Sequence, residues 1–402
     1  MLSFLYPSLL PAIKEMPIGI LPIILVEKEH PILVVKAPKE YILTAKVNAS
    51  FKIYLVPVTI NNQKTVGLIT AFFDDEDEPL VIKTPLFADD FSKTLFKILQ
   101  SSQLSVYLFD ELSREHFVFS ARITVPKEAT QQIETTLLLK FSLPTARLMI
   151  DRIDKIFGLR TSMDDAGAIT ILLDQSLYGD GLFIQDLRPE HHSYYGSRGF
   201  SHTVIEREEP GSYQEEDIVQ CLLYVFPHKQ IYLNPKRIYD HEEICDILLI
   251  TEKYLLIIQA KDSPNLERII KQKLLRKRNN VMNSLKKAIN QTKGAVLYSQ
   301  RNTKYLEFQV DDQKYNINTN GLITKTLIIV KELFDDQFGE YSQQLLGFVR
   351  DKQVPCIALD YPEFYSYCVN LRDEKEFFNA YDRVMDYAIK EGEYPRLRFG
   401  LM

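Results

Sequence analysis

The stretch Asp246-Ile-Leu-Leu-Ile-Thr-Glu-Lys-Tyr-Leu-Leu-Ile-Ile-Gln-Ala-Lys261 decides how the chain is read. It holds two apolar runs, Ile247–Ile250 and Tyr254–Ile258, parted by Thr251-Glu252-Lys253. Runs this short and this rich in Ile, Leu and Tyr predict strands, and the polar break predicts a tight hairpin turn. Neither run alternates cleanly, so both are expected inside a sheet covered on both faces. With Glu252 and Lys253 at the turn, Asp246 falls directly opposite Gln259, and opposed side chains share a face. Lys261, two residues on, lies on that face as well. An acid, an amide and an ammonium group are therefore expected to converge at one end of a hydrophobic hairpin.

Polar groups are costly there unless something requires them. A divalent cation is one such requirement: Mg²⁺ takes oxygen ligands, binds through one or two carboxylates, and fills its shell with water and substrate phosphate. Asp246 and the Gln259 carbonyl oxygen supply two oxygens, and Lys261 is suited to stabilise phosphoryl charge. Asp, a strand pair, then acid-or-Gln-x-Lys resembles the motif of the PD-(D/E)XK nuclease superfamily. The interval of thirteen residues from Asp246 to Gln259 resembles its nuclease-related-domain and Mrr-like restriction-endonuclease branches. Gln259-Ala260-Lys261 resembles their Q-x-K variant, and the likeness covers the region from Ser212 to Ser299.

The resemblance implies an α/β fold for the C-terminal part, a restriction-endonuclease-like mixed sheet flanked by helices. It also implies a site holding Mg²⁺ or Mn²⁺ between Asp246, Gln259 and the Ala260 carbonyl, with Lys261 orienting or activating the attacking water. In the superfamily a helical Glu upstream of the Asp often completes the metal site. Ser212-Tyr213-Gln214-Glu215 reads as a capping box, with Ser212 as N-cap, which accounts for Glu215. Glu216 lies on the edge of the buried helical stripe, three and seven residues before Val219 and Leu223. The metal role is therefore assigned to Glu216, with Glu215 as the fallback. Gln230–Leu233 reads as a strand ahead of the hairpin.

Past Lys261, Ser263 and Pro264 read as N-cap and N1 of a helix running toward Gly294, with a break at Asn279-Asn280 and a strand at Ala295–Ser299. Its apolar residues recur at helical spacing. The other face carries Lys271, Lys273, Arg276, Lys277, Arg278, Lys286 and Lys287. Residues 266–293 hold nine bases and one acid, +8 in a chain of net charge −6. Such a face beside a metal site predicts contact with a DNA backbone. A solvated helix face is the alternative.

At 402 residues the chain is long enough for two or three domains. Its acidic balance excludes a uniformly basic nucleic-acid binder, so any such surface is local. Four cysteines without a C-x-x-C pair predict reduced thiols in a cytoplasmic protein and no zinc ribbon. No secretion signal or membrane-spanning run is read. Residues 1–150 read as an α+β domain, with strands at Phe51–Ile60, Thr65–Phe73, Leu104–Phe109 and His116–Val125 and a helix at Phe91–Leu99. Asp74–Pro79 reads as a solvated acidic loop. Residues 151–204 read as a helical segment and linker ending in Tyr178–Phe200. There His191, His192, Tyr194, Tyr195 and Arg198 offer stacking and charge, although a plain connector is the commoner use of such a stretch. Residues 205–402 complete the nuclease-like domain, with further elements at Leu327–Val330, Tyr341–Lys352, Pro355–Leu359 and Phe377–Lys390.

The expected function is a metal-dependent endonuclease hydrolysing DNA phosphodiesters, in a restriction or anti-phage defence setting. Residues 1–200 would then be a module for an unknown protein or ligand, and a homodimer is compatible with the reading. The alternative is a catalytically degenerate nuclease-fold protein that binds nucleic acid or acts as a scaffold, since Gln in place of Glu removes one negative charge from the site.

Overall fold

The computed structural model describes residues 1–25, 30–177, 184–302 and 304–397. The fold is mixed α/β, with two main sheets, each clad in helices. The last residues of the Arg396–Met402 tail, the end of the Met16–Val26 run and the start of the Tyr178–Phe200 connector lie outside the described residues.

The N-terminal sheet has eight strands: β1 (Gly19–Leu25), β2 (His30–Lys36), β3 (Ser50–Ile60), β4 (Gln63–Phe72), β5 (Leu80–Pro85), β6 (Gln103–Phe109), β7 (Glu115–Thr124) and β8 (Ile169–Ser176). Their order is β1-β2-β6-β7-β8-β3-β4-β5, antiparallel except for the parallel pair β2–β6. The β3–β4 turn has two residues, Asn61 and Asn62, both at positive φ, the geometry that matches strand twist in a tight hairpin. Helices α1 (Lys39–Asn48) and α2 (Asp90–Leu99) cover one face, and α3 (Leu143–Phe157) covers part of the other. At Gly67 of β4 a Cβ would collide with Ile153 of α3, so this close approach requires glycine.

The boundary expected at residue 150 is corrected here. Strand β8 falls in the connector by sequence, yet it pairs with both β3 and β7 in the middle of the sheet. Ile169, Ile171 and Leu173 are buried there. The pairing joins residues far apart in the chain, which local periodicity does not report.

The C-terminal sheet contains β9 (Ile231–Leu233), β10 (Ile247–Ile250), β11 (Tyr254–Lys261), β14 (Ile323–Val330) and β15 (Cys356–Asp360), in that spatial order. A separate hairpin, β12 (Tyr305–Val310) and β13 (Gln313–Asn318), interrupts the chain before β14. The β9–β10 and β10–β11 pairs are antiparallel, and β11–β14 and β14–β15 are parallel. Helix α4 (Gly211–Leu222) precedes β9, and α5 (Leu274–Ser299) runs between β11 and the inserted hairpin. Three more follow: α6 (Phe338–Lys352), α7 (Tyr361–Asn370) and α8 (Glu374–Glu391). Among the described residues, no helix is long and apolar enough to cross a membrane.

Several expected helix ends lie elsewhere. Ala295–Ser299 is the last turn of α5, not a strand: Ala288, Thr292, Ala295 and Val296 are all buried, which continues the helical period through Gly294. Asn279 and Asn280 lie within the same helix and do not break it. Ser263 is not a cap. Residues 262–266 run without helix, where Asp262 pairs with Lys39 and Asn265 exchanges backbone hydrogen bonds of 3.0 and 2.8 Å with Arg207, and a single helical turn, Glu267–Ile270, follows before α5 starts separately at Leu274. Helix α4 begins at Gly211, which places Ser212 inside its first turn with no capping side chain.

Candidate functional site

The hairpin register is the expected one: Ile247 faces Ile258 and Ile250 faces Leu255, so Asp246 stands across from Gln259. Both side chains are buried, and Lys261 keeps partial solvent access. The Oδ2 atom of Asp246 accepts hydrogen bonds from Gln259 Nε2 and from the Ala260 N–H. Lys261 Nζ lies 3.9 Å from the same oxygen. The Asp246 carbonyl accepts from the Asn234 N–H at 2.8 Å, which anchors the start of β10. Acid, amide and ammonium thus converge, with Gln259 presenting its amide nitrogen to the carboxylate.

Of the two adjacent glutamates on α4, Glu215 faces this group. Burial raises its pKa, the Asp246 charge raises it further, and a hydrogen bond with Asn234 and the charge of Lys261 act in the opposite direction. Glu216 points elsewhere. Its carboxyl is pushed up to about 7 by burial and by Asp217 and Glu215, against the pull of Arg198 and Arg114. The structure thus sets Glu215, the fallback, beside Asp246, while Glu216, the first choice for the metal role, faces Arg198 and Asp217. The physical reason is the earlier helix start, which frees Glu215 from capping and turns it toward Asn234.

Glu243 also belongs to this group, although its place in the sequence does not mark it. It keeps solvent access, but its carboxyl is crowded on one side, which raises its pKa. The hydrogen bond it shares with Asp246 and that residue's charge carry it to about 8. Neighbouring His241 sits at positive φ in a loop and bonds Gln309 at 2.6 Å, away from the carboxylates.

The basic face of α5 is divided. Lys277 pairs with Asp74 at 2.6 Å, and Arg278 pairs with Glu78 at 2.7 Å and Asp336 at 2.9 Å. The Asp74–Pro79 loop thus bridges the domains rather than being a purely solvated turn. Lys271 is paired with Glu267. Lys273, Arg276, Lys286 and Lys287 keep solvent access. In the connector, His192 and Tyr194 are buried, and Tyr195 stacks on Tyr232 at 4.6 Å and exchanges backbone hydrogen bonds with β9. These rings are packing residues, His191 is half-buried against Asp186 at 2.7 Å, and Arg198 faces solvent.

A buried charge network ties the site-bearing elements to the N-terminal domain. Lys39 of α1 holds Asp262, the residue after Lys261, at 3.0 Å. Arg114 holds Asp217, two residues after Glu215, at 2.8 Å, and Asp217 also meets Arg207 at 3.1 Å. Arg114 and His116 both touch Asp110, at 2.6 and 2.7 Å. The signal that exposes Asp217 is its position: it lies in the buried stripe of α4 beside Ile218 and Cys221, where an acid needs a partner.

The donor set is that of a weak oxygen site. Asp246 and Glu215 offer carboxylates, and the Gln259 amide offers oxygen in place of nitrogen by a flip of its end group. Among the described residues, no three His, Cys, Asp or Glu side chains are arranged to hold one metal ion. Mg²⁺ itself asks for only one or two carboxylates, with water and phosphate as the rest. Compared with protein-family models, curated proteins and solved structures, the chain matches none.

Proposed function

We propose that the C-terminal domain is a metal-dependent endonuclease of the PD-(D/E)XK type, acting on DNA phosphodiesters in a restriction or defence role. The observation that carries this reading is the Asp246–Gln259–Lys261 cluster at the mouth of the β10–β11 hairpin. The order helix, three antiparallel strands, helix, then a fourth strand parallel to the third supports it. Asp246 and Glu215 would hold Mg²⁺ or Mn²⁺, with the Gln259 and Ala260 oxygens completing the protein's share. The ion, when bound, supplies Lewis-acid polarisation of the phosphoryl group. Lys261 keeps solvent access and places its ammonium group beside Asp246, where it meets a phosphoryl oxygen or orients a water for in-line attack. Asp246 is fixed by the Gln259 amide and the Ala260 N–H, so its orientation is set before substrate arrives. Lys273, Arg276, Lys286 and Lys287 offer backbone contacts for DNA along α5.

One observation favours a second reading, a degenerate nuclease fold that binds nucleic acid without cutting it. Gln259 uses its nitrogen to bond Asp246, which occupies the oxygen a metal would need. Supercoiled plasmid incubated with the purified chain and Mg²⁺ or Mn²⁺ separates the two. Nicking that needs the metal and is lost in Lys261→Ala is the result expected of the nuclease. Retention of plasmid without nicking, equal in both proteins, selects the second reading.

A further inference from the structure

From Arg268 to Leu306, a stretch that contains all of α5, the chain carries no acid. Where α5 meets other elements its bases are neutralised: Lys277 and Arg278 by the Asp74–Pro79 loop and Asp336, and Lys293 by Asp351 at 3.6 Å. Its outer face has no such partners. Arg276, Lys287, Asn290, Gly294 and Tyr298 follow one another at spacings of 11, 3, 4 and 4, which puts them on one side of the helix. Arg276, Lys287, Asn290 and Gly294 are exposed, and a Cβ at Gly294 would meet nothing within 4 Å. From Arg276 to Tyr298 this open stripe runs about 33 Å.

The stripe ends in a cluster of rings and guanidinium groups. Tyr239, in the loop between β9 and β10, lies 6.3 Å from Tyr298. Arg301 stands 5.5 Å from the centre of each ring, and its Nη1 donates to the Tyr239 hydroxyl at 2.8 Å. Arg237 lies 5.4 Å from the Tyr239 ring and is itself held by Asp240 at 3.0 Å and by Glu242. The Tyr298 hydroxyl donates to the Glu307 carbonyl at 2.6 Å. Arg301 is exposed and has no carboxylate partner among the described residues, and Tyr239 is 59% exposed. Side chains already fixed at the surface lose little freedom when a ligand arrives.

A row of anions matches the bases, and a flat π-system matches the cluster. A nucleic-acid strand supplies both in every nucleotide. A duplex closes its base faces within the stack and shows only their edges in the grooves. A single strand leaves those faces open to aromatic rings and to guanidinium planes. We propose that the open stripe of α5 and the Tyr239–Arg301–Tyr298 cluster bind single-stranded DNA, with the stripe along its backbone and the cluster against an unstacked base. The proposal rests on the nucleic-acid reading of the C-terminal domain and names the form of its ligand. The Tyr239 loop also carries Glu243 and ends at Asp246, seven residues on. The Cα atoms of Tyr239 and Asp246 are therefore no more than about 25 Å apart, and one loop serves both the cluster and the candidate metal site.

The test is fluorescence anisotropy of the full chain in EDTA. The probes are a labelled oligothymidylate of about 20 nucleotides, longer than the roughly 4–16 that a single-strand groove covers, and its duplex with oligoadenylate. Nothing is cut without metal, so this binding and plasmid nicking succeed or fail separately. Saturable binding of the single strand is expected. It should weaken at least about tenfold in Tyr239→Leu and in Arg301→Gln, while duplex binding changes less than about twofold. Lys287→Gln should weaken both forms, and Lys64→Gln, the same charge change on the N-terminal domain, neither. The two cluster variants lie far apart in the chain, so a folding defect in one, seen as a lowered melting temperature, leaves the other to decide. The absence of saturable single-strand binding overturns the proposal. So does single-strand binding that neither cluster variant weakens, and so do equal losses for strand and duplex, which would mark backbone contact alone.

Discussion

Lys39 and Asp262 form an ion pair of 3.0 Å from which water is shut out on both sides, 4% and 0% of the side chains being exposed. One residue comes from the N-terminal domain, and the other follows Lys261 directly. Burial and the charge of Arg207 disfavour the charged lysine, but Asp262, with Glu40 and Asp217 behind it, overcomes both and holds its pKa above the ordinary value.

Breaking this pair should cost far more than a surface salt bridge. Lys39→Met leaves Asp262 charged in the interior with only the more distant Lys331 and Arg207 to offset it, a loss of about 3–5 kcal/mol. Lys39→Met combined with Asp262→Asn should recover much of it, because no lone charge remains. Urea unfolding of the single and double variants measures this without reference to any activity. Equal losses in both would show that the pair contributes packing alone.

The two neighbouring glutamates of α4 make opposite predictions. Glu215→Gln should lower metal-dependent plasmid nicking by roughly two orders of magnitude or more, as expected when a preorganised charge at the reacting centre is removed. Glu216→Gln should leave nicking within a few-fold of wild type, because its neighbours are Arg198 and Asp217 rather than Asp246. Gel assays of both proteins at matched concentration decide the point, and the reverse ranking would reassign the site.

Two groups of bases on α5 should separate by salt dependence. Reversing Lys273, Arg276, Lys286 and Lys287 to Glu should weaken DNA binding. It should also flatten the plot of log affinity against log salt, by about 0.9 for each DNA phosphate no longer neutralised. Reversing Lys277 and Arg278 removes interdomain ion pairs instead. That pair of changes should lower the melting temperature. An unchanged slope in the first variant would mark those four bases as ordinary solvated charges.

Glu332 makes stability depend on pH. Burial, then the charges of Asp74 and Asp360, raise its folded pKa to about 7, against about 4.3 in an unfolded chain. The folded state therefore binds the extra proton, and the stability it brings is complete below the unfolded pKa and is lost as pH rises through about 7. Glu332→Gln removes this dependence. It should be more stable than wild type by about 1–3 kcal/mol at pH 8, with the difference closing as pH falls toward 4. Denaturant midpoints across that range give the answer. A gain that persists at low pH would have another origin.

The β10–β11 hairpin is legible in the sequence because two short apolar runs, one polar break and one register decide it. Asp246, Gln259 and Lys261 meet where that register puts them. Glu215 is hidden because Ser212-x-x-Glu215 has the form of a capping box, and the helix in fact starts two residues earlier than that cap implies, at Gly211. Ala295–Ser299 has the composition of a strand, but Ala295 and Val296 carry on the buried stripe of α5 and the segment stays helical. The acidic Asp74–Pro79 loop reads as solvated because its partners, Lys277 and Arg278, lie some two hundred residues away. The network around Asp110, Arg114, Asp217 and Asp262 is invisible for the same reason: each member is an ordinary surface residue type until the two domains meet.

The place of β8 has a consequence for synthesis. The strands made first fall into two half-sheets, β1-β2-β6-β7 and β3-β4-β5, and only β8 stitches β7 to β3. Until Ser176 has left the ribosome, both inner edges stay unpaired, with free backbone donors and acceptors. At about 5–20 residues per second, the chain passes through the stretch from Thr124 to Ile169 in a few seconds with those edges open. During that window a second nascent chain on the same message can supply the missing strand. The last strand of the N-terminal sheet therefore also closes the period in which neighbouring chains can tangle.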